Sequence, residues 1–215
     1  MNIGIIGTGR IGSILAELWA GSGHQIMVSS KHPEKLDSLL KKCEPACRRG
    51  SVEEAAKFGE TVVLSIPLGQ LEQVIQKCGE FLENKVIIDT MNPVEERDGA
   101  SAVEITRRNI ASGVATQEKL PKSKVVRAFC SICHFDLESM SHRAAYAISV
   151  PFSSDNESAQ KIAIQLINDA GFNPYFLGPL HQSKQMDPGG IIFGKALTQT
   201  QIKDLILYHE ARSKK

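Results

Sequence analysis

The chain has 215 residues, 42% of them hydrophobic and 23% charged, enough for one large domain or a domain with a small appendage. Its 25 basic and 24 acidic side chains nearly cancel to +1, so there is no charge excess for neutralising phosphates and neither a nucleic-acid nor a membrane partner is expected. The apolar runs are strand-length, far below the roughly 20 residues that cross a bilayer. The amino terminus has no basic region or cleavage site, so a cytoplasmic protein with reduced cysteines is expected, and no metal or disulfide staple is needed.

Asn2 to Ile6 reads as a short apolar strand, and a glycine-rich turn follows at once. Ile11, Ile14, Leu15, Leu18 and Trp19 then recur at helical spacing until Gly21-Ser22-Gly23-His24 stops them. Gln25 to Ser29 is a second strand, and Pro33 to Lys42 a second helix with proline in its first turn. This βαβα run implies a parallel sheet. The alternation continues: a short strand at Ala46 to Arg48, a helix at Val52 to Phe58, and a strand at Thr61 to Ser65. Next come a helix at Leu71 to Cys78 and strands at Val86 to Ile88, Val125 to Phe129 and Ala144 to Val150. Ser154, three residues before Glu157, predicts a capping box on a helix whose core side is Ile162, Ile164, Leu166 and Ile167, and Gly171 ends it. Pro174 to Leu177 is a last strand, and Thr198 caps a final helix carrying Ile202, Leu205 and Ile206. Pro93 to Lys124 and His181 to Lys195 read as loops, the first with one helix from Ser101 to Asn109.

Gly7-x-Gly9-x-x-Gly12 is a weak signal alone, but here a strand precedes it and an amphipathic helix follows. Gly7 permits the tight turn, Gly9 the approach of a pyrophosphate, and Gly12 close packing of helix on strand. The helix N-terminus then offers free N–H groups to the anion. At the end of the second strand an NAD site places a carboxylate for the ribose hydroxyl. This chain has Ser29-Ser30-Lys31-His32-Pro33-Glu34-Lys35, with a hydroxyl and lysines in that place, which predicts NADP over NAD. Ser65-Ile66-Pro67, Asp89-Thr90-Met91-Asn92-Pro93 and Phe129-Cys130-Ser131-Ile132 end three further strands and converge on the place of a nicotinamide.

Cys130-Ser131-Ile132-Cys133-His134 also fits C-x-x-C-H, the pattern of covalent haem attachment, and C-x-x-C is a thiol redox signature. Haem is attached outside the cytoplasm, which weighs against the first reading. The reading preferred is that Cys130 fills a small site beside the ring and Cys133 is a buried thiol, with a redox pair as the alternative.

Gly7-Thr8-Gly9-x-x-Gly12, Ser30-Lys31-x-Pro33-Glu34-Lys35, Leu64-Ser65-Ile66-Pro67, Asp89-x-x-Asn92-Pro93, Val125-Val126-x-Ala128-Phe129 and Ala170-Gly171-Phe172 through Gly178-Pro179-Leu180 occur in that order. In this the chain resembles the NADPH-dependent deazaflavin (coenzyme F-420) oxidoreductase family, itself similar to the reductase domain of six-transmembrane metalloreductases. The resemblance spans roughly residues 1–182. It implies a Rossmann-type, doubly wound α/β fold with a mainly parallel sheet: a nucleotide-binding domain over 1–180 and a small C-terminal extension over 181–215 packing on it. It also implies direct hydride transfer between NADP(H) and a deazaflavin, or a flavin or similar planar small-molecule acceptor. In such chemistry the protein binds, orients and excludes water. That accords with the absence of a recognisable acid–base pair, His134 and His181 being the nearest candidates. By position, Thr8, Ser30, Lys31 and Lys35 match the family's 2′-phosphate contacts, and Gly9, Arg10 and Ile11 the pyrophosphate turn. Ser65, Ile66 and Pro67 would line the nicotinamide side, and Asn92, Pro93, Cys130, Ser131 and Ile132 the second ring. The family usually has arginine where this chain has Lys31. Without a lid domain, a homodimer is expected. The competing functions are an NADP-sensing protein without turnover and a small imine or ketone reductase.

Overall fold

The computed structural model describes residues 1–143 and 145–213. Eight strands form one sheet: β1 (Asn2–Ile6), β2 (Gln25–Ser29), β3 (Cys47–Arg49), β4 (Thr61–Leu64), β5 (Val86–Asp89), β6 (Lys124–Ala128), β7 (Ser149–Ser153) and β8 (Asn173–Gly178). The spatial order is β3-β2-β1-β4-β5-β6-β7-β8. Strands β1 to β6 are parallel, while β7 runs antiparallel to β6 and β8 parallel to β7. The order reverses direction between β1 and β4, the place where open α/β sheets bind ligands at their carboxyl ends.

Side chains alternate across this sheet with the two-residue period of a strand, and each face has its own core. Ile3, Ile5, Val63, Ile88 and Val126 point to one side. There they meet α1 (Arg10–Gly21), α2 (Asp37–Cys43) and, from later in the chain, α8 (His134–Ser139) and α9 (Glu157–Asp169). Ile6, Val62, Leu64, Ile87 and Val125 point to the other, against α3 (Val52–Phe58), α4 (Leu71–Cys78) and the segment 105–120. Trp19 is fully buried where α1 meets α9, and its indole N–H donates to the Leu166 carbonyl at 2.8 Å.

Several elements differ from the sequence expectation. Pro33–Lys35 is a 3₁₀ turn that ends before α2 begins at Asp37. The strand expected at 144–150 lies at Ser149–Ser153 and continues through Pro151; Ala144 lies outside the described residues. The helix expected from a Ser154 capping box is capped by Asn156, whose side chain accepts from the Ala159 N–H. The Ser154 hydroxyl donates instead to the Val125 carbonyl, pinning β6. Ile164, expected in the core, is 39% exposed, and Ala159 and Ala163 take the inward positions of α9. Between β5 and β6 there are three helices rather than one: α5 (Glu95–Asp98), α6 (Ala100–Arg108) and α7 (Ser112–Lys119). Likewise 181–195 holds a 3₁₀ helix at Leu180–Met186. Thr198 does cap the final helix, α10 (Gln199–Ser213), its hydroxyl accepting from the Gln201 N–H at 3.4 Å. Among the described residues, no helix is long and apolar enough to cross a membrane.

Candidate functional site

The carboxyl ends of β1, β2, β4, β5 and β6 share one edge of the sheet, and the residues singled out in the sequence lie in the loops that leave it. Gly7 follows β1 with φ +97°, and its N–H donates to the Ser29 carbonyl at the end of β2. A Cβ at Gly7 would stand 2.3 Å from the Ser65 carbonyl oxygen, so the first turn is pressed against the loop after β4. A Cβ at Gly12 would stand 2.1 Å from the Gly7 carbonyl oxygen, so α1 starts in contact with the turn. Gly9 is different: it precedes α1 in extended conformation, no side chain caps the helix, and a Cβ there would meet nothing of the chain within 4 Å. Free N–H groups at a helix start facing open space form an anion site.

The neighbouring loop after β2 supplies charge. Arg10, Lys31 and Lys35 are exposed, and their side chains make no hydrogen bond or ion pair among the described residues. Ser30 Oγ accepts from the His32 N–H at 3.0 Å, and the nearby Glu34 carboxylate faces the His32 ring at 3.4 Å. The Thr8 and Ser29 hydroxyls are buried without a partner. Buried polar groups are nearly always satisfied, so a turn with two orphaned hydroxyls beside three unpaired cations suits a phosphorylated ribose and a pyrophosphate. Ile11 is half-buried on the first turn of α1.

Ser65, Ile66 and Pro67 lie half-buried after β4. Their loop is fastened to the next one by Asp98, whose side chain is 0% exposed. Its carboxylate accepts from the Gly69 N–H at 3.1 Å, the Val94 N–H at 2.9 Å and the Arg97 guanidinium at 2.8 and 3.0 Å. Burial pushes this carboxyl up, but Arg97 and the two amides outweigh it and hold the pKa below its ordinary value. A depressed pKa contributes stability that is complete above the ordinary carboxylate range and is lost as pH falls through the folded value. Asp98→Asn is therefore expected to cost about 2 kcal/mol near neutral pH, a typical value for hydrogen bonds to a charged group. In thermal melts its gap from the parent protein is expected to be constant at neutral pH and to shrink below about pH 4. A gap that widens on acidification would contradict this account.

Asn92 and Pro93 follow β5, and Cys130, Ser131 and Ile132 follow β6. The structure brings these two loops together: Asn92 Nδ2 donates to the Cys130 carbonyl at 2.7 Å. The bend after β6 is made by Phe129, which adopts φ +59° although it is aromatic and buried. A bulky residue in the left-handed region costs on the order of 1–3 kcal/mol and persists where its surroundings over-determine it. Here the ring packs edge-on to Trp19, centroids 5.7 Å apart. Cys130 is a free buried thiol, and burial pushes its pKa up to about 12, even against the nearby Arg127. Such a sulfur is held as a thiol and is a poor nucleophile. Cys133, expected to be buried, is only partly so; it too is a free thiol, with Sγ 3.9 Å from His134 Nδ1. The His134 ring lies against Phe135, and His181 lies in the Leu180–Met186 turn. Among the described residues, no three His, Cys, Asp or Glu side chains are arranged to hold a metal ion.

The sequence reading missed what lies beneath these loops. Arg127, in β6, is fully buried and bonds to Asp89, Met91, Asn92 and Asp187. Burial alone would push its pKa down, but the Asp89 and Asp187 carboxylates bonded to it help carry it above its ordinary value, so the guanidinium stays charged. An arginine inside an otherwise apolar strand, Val125-Val126-Arg127-Ala128, was the available signal. Beside Pro93 and Asp187 a cleft of about 540 Å³ opens between α6, the 181–191 segment and α10, with Ile105, Ile110, Ile191 and Ile206 among its walls.

Residues 2–93 match the family NADP oxidoreductase coenzyme F420-dependent. An F420-dependent NADP reductase of Methanocaldococcus jannaschii is 29% identical over 196 residues, covering 86% of each chain. The metalloreductase STEAP3 of Rattus norvegicus is 20% identical over 185 residues, which are 86% of this chain and 35% of that one. A solved hypothetical protein of Sinorhizobium meliloti shares the fold with a TM-score of 0.79 at 21% identity, covering 92% of this chain and 95% of that one. Both likenesses read from the sequence are thus borne out.

Proposed function

We propose that this chain, whose residues 2–93 match the coenzyme F420-dependent NADP oxidoreductase family, is an NADP(H)-dependent oxidoreductase passing hydride to or from a deazaflavin, flavin or similar planar acceptor. The observation that carries the cofactor half is the glycine turn at the sheet's switch point, flanked by Arg10, Lys31 and Lys35, all unpaired, with no carboxylate on the last residues of β2. In this reading Thr8, Ser30, Lys31 and Lys35 hold the 2′-phosphate, and Gly9, Arg10, Ile11 and the α1 N-terminus hold the pyrophosphate between Gly7 and Gly12. Ser65, Ile66 and Pro67 support the nicotinamide, and Asn92, Pro93, Cys130, Ser131 and Ile132 border the acceptor ring.

The bound nicotinamide supplies the hydride chemistry. The chain's part is orientation and exclusion of water, and nothing in that role demands a proton-transferring side chain. The fastened loops at 65–69, 92–98 and 129–132 are suited to it. A cytoplasmic homodimer completes the proposal: α10 presents Leu207 and Tyr208 to solvent, and a second copy would shield the open cleft.

The test is a fluorescence titration with NADPH and with NADH, followed in the same cuvette by deazaflavin, FMN and ferric chelates in turn. Tighter binding of NADPH than NADH and steady oxidation by one acceptor are expected. Tight binding without oxidation by any acceptor would favour a sensor. Binding of neither nucleotide would overturn the proposal.

A further inference from the structure

We propose that Asp187, in the carboxyl-terminal segment, is a positioning residue of the hydride-transfer site, acting through Arg127 on Asn92 and the Cys130 carbonyl. This rests on the function proposed above. Arg127 Nη2 donates to Asp187 Oδ1 and to Asn92 Oδ1, both at 2.9 Å. Its Nη1 donates to Asp89 Oδ1 at 3.1 Å and to the Met91 carbonyl. The second oxygen of each carboxylate is also taken: Asp187 Oδ2 accepts from the Ser112 N–H and Asp89 Oδ2 from the Thr116 hydroxyl, each at 2.8 Å. The guanidinium therefore cannot drift toward either acid without breaking a bond at the other.

This arrangement fixes which way the Asn92 amide faces. Because Arg127 donates to its oxygen, its nitrogen is left for the Cys130 carbonyl. Two loops that border the acceptor ring are thereby set relative to one another by a charge that arrives from 60 residues further along the chain. Arg127 is fully buried and Asp187 nearly so, where a buried ionic cluster is often no more stabilising than apolar side chains of the same volume. Its distinctive contribution is a single geometry. Hydride transfer responds to that, since misplacement by about 1 Å can cost 100-fold in rate.

Asp187→Ala and Asp187→Asn would be compared with the parent protein in four measurements. These are thermal melting, NADPH affinity, the emission of bound NADPH, and kcat and KM with the acceptor identified above. Asparagine keeps an oxygen for Arg127 and so serves as the conservative variant. The expected result for Asp187→Ala is a 10- to 100-fold fall in kcat, NADPH affinity within about twofold, and a partial return of kcat in Asp187→Asn. A lowered melting temperature with parental kcat in the folded protein would overturn the proposal and leave Asp187 a structural residue. If Asp187→Ala does not fold, Asp187→Asn decides alone: a kcat loss at unchanged NADPH affinity supports the proposal, and parental kcat overturns it. If the parent protein oxidises NADPH with no acceptor, the functional reading has failed. Positioning is then judged on bound-NADPH emission, where a shift in the variant at unchanged affinity supports it and identity with the parent overturns it.

Discussion

Gly12→Ala is expected to abolish measurable NADPH binding. The added Cβ would lie 2.1 Å from the Gly7 carbonyl oxygen and 3.2 Å from Ser65 Cβ. The nearer atom is backbone, and backbone in a tight turn cannot swing aside as a long side chain does. Relief requires α1 to withdraw from the end of β1, which pulls the N–H groups of its first turn away from the anion. Overpacking of this kind costs about 1–3 kcal/mol in stability or more. In binding, loss of the charge-assisted contacts should exceed about 3 kcal/mol, more than 100-fold in Kd. A nicotinamide fluorescence titration with a parallel thermal melt would measure both. Gly9→Ala is the matched control: its Cβ meets nothing of the chain, so the fold should melt as the parent does while affinity still falls. Unchanged NADPH affinity in Gly12→Ala would show that the nucleotide does not use this turn.

Lys31→Glu is expected to reverse the cofactor preference. Lys31 is exposed and without an ion pair, so the substitution should move stability by no more than about 0.5 kcal/mol. At the ribose it replaces attraction to a phosphate by repulsion. A hydrogen bond to a charged group is typically worth about 1.5–3 kcal/mol, so NADPH affinity should fall by roughly 10- to 100-fold. NADH, whose ribose hydroxyl can donate to a carboxylate, should bind at least as well as before. The salt dependence of NADPH binding should weaken as well, since one phosphate contact is gone. Paired titrations at two ionic strengths would decide. If NADPH binds the variant as tightly as the parent, Lys31 is an ordinary solvated residue and selection lies with Ser30, Lys35 and the Thr8 hydroxyl.

The nucleotide half of the molecule was legible in the sequence because its signals are local. A glycine that must avoid a clash, a helix with apolar residues three and four apart, and a strand of β-branched residues each declare themselves within about ten positions. The loops before Arg10, after Ser29 and after Leu64 accordingly lie where the pattern put them. The other half depends on contacts between residues far apart. Nothing near Ser154 reveals that its hydroxyl bonds Val125, leaving the cap to Asn156. The strand read as ending at Val150 runs on through Pro151, which pairs with Tyr175 inside the sheet. In the region from 93 to 124 only the helix at 101–109 was legible, because α5 and α7 are short and rich in polar residues. Phe129 gave no sign of its left-handed backbone, which only the packing against Trp19 explains. Arg127 was visible as an oddity in an apolar strand, but its partner Asp187 was not.

The reversal of β7 sets the reach that the end of the chain must have. Because β7 is antiparallel to β6 and β8 follows β7, the chain leaves Gly178 at the edge opposite the glycine turn. To bring Asp187 to Arg127 it must climb the full height of the sheet. The 3₁₀ segment Leu180–Met186 does this, holding its first amide on Asp155 at the lower edge and ending one residue short of Asp187. Seven residues of 3₁₀ helix rise about 14 Å. A five-residue strand such as β6 spans about 16 Å. The segment is thus matched in length to the strand it crosses, and a deletion of two or three residues within it would leave the carboxylate short of its guanidinium however well the rest of the tail still packed.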